Sequence, residues 1–230
     1  MFHKRFADNT NHASVASRLR RQRFALFTAL LTGLPSPVRI LDIGGTQDYW
    51  HSMAPEAALL GWLQVTLLNL QPQAVSMPNF TSLVGDARAM PHFTDRQFDI
   101  VFSNSTIEHL GSFAGQQAMA GEVRRVGRGY YIQTPNRYFP IEPHFLFPGF
   151  QFLPLRLRAW LVRHFRLGWF PRLADGRQAL AEVAAIRLLN EAEFRALFPG
   201  ALIYRERYLG LTKSFVACTP LVSTKPGTVG

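Results

Sequence analysis

The stretch Val38 to Trp50, VRILDIGGTQDYW, constrains the fold most. From Val38 to Ile43 it is apolar apart from Arg39 and Asp42. An apolar run that does not alternate reads as a short strand buried on both faces. Gly44 and Gly45 then mark the turn where the strand gives way to a helix. A residue without Cβ lets backbone N–H groups come close to a ligand. In an open α/β sheet, ligands bind outside the carboxyl ends of the strands. The stretch therefore predicts a small-molecule site, with Asp42 as a hydrogen-bond acceptor at the strand end. The dinucleotide fingerprint G-x-G-x-x-G is absent, since Gly44-Gly45-Thr46-Gln47-Asp48 lacks its spacing.

Further strands are expected at Gln64–Leu70, Phe80–Val84, Phe98–Ser103 and Arg128–Gln133. Helical stretches, Tyr49–Leu60 and Ser112–Val126, lie between them. Strands separated by helices imply βαβ units and a mainly parallel sheet with helices on both faces. Ahead of them, residues 13–34 read as a helix. Val15, Leu19, Leu26, Leu30 and Leu34 fall near one stripe, and Arg18, Arg20, Arg21 and Arg23 read as a solvated basic face. After the fifth strand, residues 137–177 break the rhythm. This segment is rich in Phe, Trp, Leu, Pro and Arg and has no acid between Pro143 and Leu173, so it reads as an inserted cap. Asn190 is a plausible N-cap for a helix over Glu191–Phe198. Strands at Ala201–Tyr208 and Thr212–Cys218 follow, joined by a Leu-Gly-Leu turn. Met1–Asn11 and Pro220–Gly230 are expected to be loosely held.

At 230 residues the chain fits one α/β domain with appendages, residues 1–230. Its 25 Lys and Arg against 15 Asp and Glu give a net charge of +10, which favours anionic partners. A single cysteine, Cys218, excludes an intramolecular disulfide framework and fits a reducing cytoplasm. MFHKRFADNTNH has no apolar core of a signal peptide, and no run of eighteen apolar residues occurs.

Four strand ends carry small or polar residues: Asp42 to Thr46, Asn69, Gly85-Asp86-Ala87, and Ser103-Asn104. The segments ILDIGG, VGDARAMP, FDIVFSNSTIEHL and ALIYRERYLGLTKSFVAC carry a family likeness. The chain resembles the class I S-adenosylmethionine-dependent methyltransferases of the type 11 group, over Val38–Asn136 and more loosely over Ala201–Cys218. That resemblance implies a Rossmann-like sheet of seven strands with the last antiparallel, and S-adenosylmethionine as cofactor. It implies Asp42, Gly44, Gly45 and Thr46 under the methionine part. It implies Asn69, flanked by Leu70, at the ribose, Asp86 and Ala87 at the adenine, and Ser103 and Asn104 on the cofactor floor. Two positions depart from the family pattern: Thr46 stands where another Gly is usual, and Asn69 where an acid is usual.

Two histidines are candidate bases: His109, after the fourth strand, and His144, in Ile141-Glu142-Pro143-His144 beyond the fifth. Some relatives hold a metal through Glu-x-x-Glu-His; the first position here is Ser105, so no metal is expected. The expected activity is methyl transfer to a small-molecule or lipid-like acceptor. An RNA-modifying methyltransferase and a non-catalytic cofactor-binding or membrane-surface protein are the alternatives. The segment FLFPGFQFLPLRLRAWLVRHFRLGWF suits a lid over an apolar pocket, a helix at an anionic membrane surface, or a platform for single-stranded nucleic acid.

Overall fold

The computed structural model describes residues 15–53 and 61–219. The expected chain ends, and the part of the Tyr49–Leu60 helix over 54–60, lie outside the described residues. Helix α1 (Val15–Leu31) precedes β1 (Val38–Ile43), and α2 (Gln47–Met53) follows the glycine turn. Then come β2 (Leu63–Asn69), β3 (Phe80–Val84), β4 (Phe98–Asn104), α3 (Phe113–Val126) and β5 (Gly127–Pro135). The cap holds the short hairpin β6 (Ile141–Glu142) and β7 (Phe147–Pro148), then α4 (Leu155–His164) and α5 (Gly176–Ala185). Helix α6 (Glu191–Leu197) and the hairpin β8 (Leu202–Tyr208) and β9 (Leu211–Cys218) complete the chain.

The sheet has seven strands in the order β3-β2-β1-β4-β5-β9-β8. Strands β1 to β5 pair in parallel, and β9 runs antiparallel between β5 and β8. Register places the carboxyl ends together: Ile43 pairs with Leu68 and with Ser103, and Asn69 pairs with Val84. The polar strand ends named in the sequence thus share one edge.

Both sheet faces are buried, which explains the unalternating strands. On one face Leu41, Ile43, Val101, Ile132 and Phe215 pack against α3 and α6. On the other, Val38, Ile40, Leu67, Ile100, Phe102 and Val216 pack against α1 and α2. Helix α1 docks through Phe24, Phe27 and Leu31, while Leu26 and Leu30 are only partly buried. This is a correction to the expected stripe and to the expected basic face. Arg23 is buried, and its Nη1 donates to both carboxylate oxygens of Glu206 on β8 at 3.0 and 2.9 Å.

Helix α6 starts at the expected cap: Asn190 Oδ1 accepts from Glu193 N, and Glu193 Oε2 accepts from Asn190 N. The cap has a core of its own, built by Phe145, Phe150, Ala159, Val162, Val183 and Ile186. It extends through α5, beyond the expected limit at residue 177. Trp160, Phe165 and Trp169 stay about half exposed.

Candidate functional site

The glycine turn is a close-approach device. Gly44 has φ +78°, and a Cβ there would overlap Thr106 Oγ1. A Cβ on Gly45 would overlap the carboxylate of Asp42. Thr106 Oγ1 and Ser103 Oγ both donate to Ile43 O, at 3.0 and 3.1 Å, which pins the end of β1 from beneath. Asn69 Nδ2 donates to Gly45 O at 2.9 Å and pins it from the side. Thr46 Oγ1 accepts from Tyr49 N at 3.3 Å and caps α2.

Two clefts flank this turn, and Gly44 borders both. The larger, about 670 Å³, is lined by Asn69, Leu70, Asp86, Ala87, Thr106 and His109, among others. The smaller, about 340 Å³, is lined by Arg20, Asp42, Gly45, Thr46, Tyr49 and Asn104, among others. Ser103, expected on the floor, is instead fully buried under the turn, because β4 directs its side chain into the sheet packing. Arg20 and Tyr49 were not singled out from the sequence. Arg20 belongs to α1, and only the docking of that helix brings it to the strand ends.

The cleft groups differ in their commitments. Asp86 accepts from Arg88 Nε and Nη2 at 2.6 to 3.0 Å, and that bond holds its carboxyl below the ordinary value. Asp42 Oδ2 accepts from Trp50 Nε1 at 2.7 Å, while Oδ1 is buried with no partner among the described residues. Burial pushes the Asp42 carboxyl up to about 7, against the pull of the Trp50 bond. The Arg20 Nε is likewise buried without a partner among the described residues, and burial lowers the pKa of its guanidinium.

A proton-handling cluster borders the larger cleft. His109 lies on a 3-10 turn over Ile107–Leu110, and its ring meets the His144 ring edge-on at 4.8 Å. His144 Nδ1 bonds Glu142 Oε1 at 2.6 Å, and Glu142 Oε2 accepts from His144 N and Phe145 N, both at 2.7 Å. Burial, then His144, pushes His109 down to about 4. Burial also lowers His144, but the bond and charge of Glu142, with Glu108 behind it, outweigh that and raise it. Glu108 is fully buried, accepts from Thr134 Oγ1 at 3.0 Å, and is raised by burial to about 7. Ligand-type atoms of Glu108, His109 and His144 lie within 4.8 Å of one another.

Two buried carboxyls raised to about 7 make the free protein's stability pH-dependent. Each binds its proton more tightly folded than unfolded, so its contribution is full below about pH 4 and is lost as pH rises through about 7. Asp42→Asn is expected to flatten the fall in urea midpoint between about pH 5 and 8. An unchanged slope would show that Asp42 ionises normally.

Residues 41–129 match the family described as methyltransferase domain. Two curated relatives, uncharacterized proteins from two strains of Mycobacterium tuberculosis, are each 31% identical over 81 residues. That match covers 35% of this chain and spans only 27% of the relatives' own length. Among solved structures, the CurJ carbon methyltransferase aligns with 92% of this chain and 56% of its own, at 12% identity and a TM-score of 0.57. A Bordetella parapertussis protein described as a possible exported protein aligns over 90% and 68%, at 13% identity and 0.54. Phosphoethanolamine N-methyltransferase 2 of Haemonchus contortus, solved with phosphomonomethylethanolamine and S-adenosylhomocysteine, aligns over 88% and 46%, at 15% and 0.51. At such identities the likeness is one of fold. The matched residues contain the glycine turn and the ends of β1 to β4, and the strand order with its antiparallel β9 supplies the rest: the chain has the fold of a class I S-adenosylmethionine-dependent methyltransferase.

Proposed function

We propose that the chain binds S-adenosylmethionine across the two clefts and transfers its methyl group to an oxygen, nitrogen or carbon of a small-molecule or lipid-like acceptor. One observation carries this reading: a glycine turn with no room for a Cβ, flanked by clefts whose unpaired groups suit the two ends of that cofactor. In the larger cleft the Asn69 amide is held by Gly45 O, which leaves Oδ1 to accept from a ribose hydroxyl. Asp86 and Ala87 line the same cleft on the adenine side. In the smaller cleft the partnerless Asp42 Oδ1 suits an ammonium, and Arg20 suits a carboxylate. An ammonium beside Asp42 would also restore its ionisation.

When bound, the cofactor supplies an electrophilic methyl on a sulfonium sulfur. The chain's own residues position and desolvate the reacting groups, which supplies much of the rate in such a displacement. His109, deprotonated at neutral pH, borders the larger cleft and can accept a proton from an acceptor O–H or N–H. His144, fixed by Glu142, orients it. The half-exposed Trp160, Phe165 and Trp169 support a lipid-like acceptor or an anionic membrane beside the cap. Among the described residues no helix is long and apolar enough to cross a membrane.

The test is calorimetry with two ligands. S-adenosylhomocysteine is expected to bind in the micromolar range, about −8 kcal/mol. Arg20→Ala should weaken it about tenfold, about 1.4 kcal/mol, and leave methylthioadenosine, which lacks the amino acid tail, unaffected. No binding of either ligand by wild type would overturn the reading; equal losses for both ligands would remove Arg20 from the tail site.

A further inference from the structure

We propose that the cap contains a second ligand site, which takes an oxyanion carrying an O–H or N–H donor beside its charge, as in a phosphomonoester or a hydroxy acid. Calling this ligand the charged end of the methyl acceptor rests on the function proposed above; the site itself rests only on its own geometry.

Arg137, just past β5, Arg158 on α4 and Arg187, just past α5, line a pocket of about 230 Å³ together with Glu142 and Gln151. Arg187 is already committed: Nη1 donates to Gln116 Oε1 at 2.8 Å and Nη2 to Glu193 Oε1 at 2.5 Å. The other two guanidiniums are not. The Arg137 side chain makes no hydrogen bond or ion pair among the described residues, and its charge acts at longer range on Glu193 and Arg158. Arg158 Nε is buried without a partner there, and Nη1 reaches only Val183 O at 3.5 Å. Burial lowers the Arg158 pKa, Arg137 adds to that, and Glu142 opposes both. Two neighbouring guanidiniums, one partly desolvated, favour an anion between them, and their planar forks suit an oxyanion.

Gln151 adds the second requirement. Its Nε2 donates to Arg137 O at 3.0 Å and to Phe139 O at 2.8 Å, which fixes the amide orientation. Its Oε1 is then left buried and partnerless among the described residues. A carbonyl oxygen beside bound negative charge is unfavourable unless the ligand offers it a proton. A bare sulfate offers none, whereas phosphate near neutral pH and a phosphomonoester monoanion do.

The pocket is coupled to the proton-handling cluster. Glu142 lines it and holds His144 Nδ1, and the His144 ring meets His109 at the larger cleft. Arg187 N donates to Glu108 O at 2.8 Å, in the turn that carries His109. Glu142, His144 and the Arg187 backbone thus connect this pocket to the His109 side of the larger cleft.

The experiment is calorimetry on the full chain with inorganic phosphate and with sulfate, at matched ionic strength. Phosphate is expected to bind at about 1 mM and about fivefold or more tighter than sulfate. Arg137→Gln with Arg158→Gln should lower phosphate affinity about tenfold or more and keep S-adenosylhomocysteine affinity. Arg158→Lys retains the charge without the fork, serves if the double variant does not fold, and should lose affinity as well. Wild type that is folded but ignores phosphate, or arginine variants that bind it undiminished, would overturn the site; equal affinity for the two anions would overturn the donor requirement. Phosphate binding without any S-adenosylhomocysteine binding would sink the proposed function and leave this site standing.

Discussion

Gly45→Ala is expected to abolish S-adenosylhomocysteine binding and to destabilise the protein by about 3 kcal/mol or more, since overpacking a fixed core site costs 1–3 and occasionally more. The added methyl would occupy the space of the Asp42 carboxylate. Asp42 has little freedom to yield, because it is buried and held by Trp50 Nε1 at 2.7 Å. Trp50 is itself fully buried against Phe24, Phe27 and Phe102. Relief must come from the turn, whose Gly45 carbonyl is tied to Asn69. Moving the turn breaks that bond and misplaces the groups facing both clefts. Denaturant unfolding and calorimetry on one preparation check the two effects together. A variant with wild-type affinity and stability would mean that the turn is far looser than its contacts indicate. Gly61→Ala is the control, since a Cβ there meets nothing within 4 Å.

Glu206→Ala is expected to cost about 3–5 kcal/mol, the usual penalty for removing one partner of a buried ion pair. The Arg23 and Glu206 side chains are 10% and 3% exposed. Glu206 also accepts from Ser214 Oγ at 2.9 Å and has Lys213 Nζ at 3.6 Å. Its removal would leave two cations without their counter-charge inside the interface between α1 and the β8–β9 hairpin. The paired change Arg23→Met with Glu206→Leu should recover much of the loss, because the charges leave together. Urea unfolding of the single and double variants measures this. A single variant within about 1 kcal/mol of wild type would mean that water reaches the pair freely.

The middle of the sheet was legible in the sequence because its central strands are buried on both faces. LDI, VTLL and DIVF are apolar apart from Asp42, Thr66 and Asp99, and turn residues bracket them. The cap of α6 was legible because Asn190 and Glu193 act within four residues of each other. What depends on distant partners was not. Two overlapping apolar stripes run along α1, and the one that docks seats Arg23 on Glu206, 183 residues further along the chain. Arg20 reaches the site only through that docking. Ser103 and Asn104 are neighbours in a polar strand end, and strand alternation alone decides that one is buried and the other faces the cleft. Helix α5 carries a local signal of its own: Asp175 accepts from Arg177 N as an N-cap, and Ala179 and Val183 form its buried stripe. The three arginines of the cap pocket come from segments up to 50 residues apart, so composition revealed their number but not their meeting.

Helix α1 bridges two places that the sheet keeps apart. Arg23 fastens it to the outer strand β8, and Arg20 extends from the same helix to the mouth of β1 in the middle of the sheet. One wall of the smaller cleft is therefore supplied by a helix from outside the sheet, and Arg20 lines the cleft only while that helix is seated. A ligand that contacts Arg20 binds the seated form alone and suppresses helix release by the factor 1 + [L]/Kd. The same coupling runs in reverse: whatever loosens the Arg23 contact of α1 with β8 weakens a ligand held at β1, four strands away, with no contact to it altered.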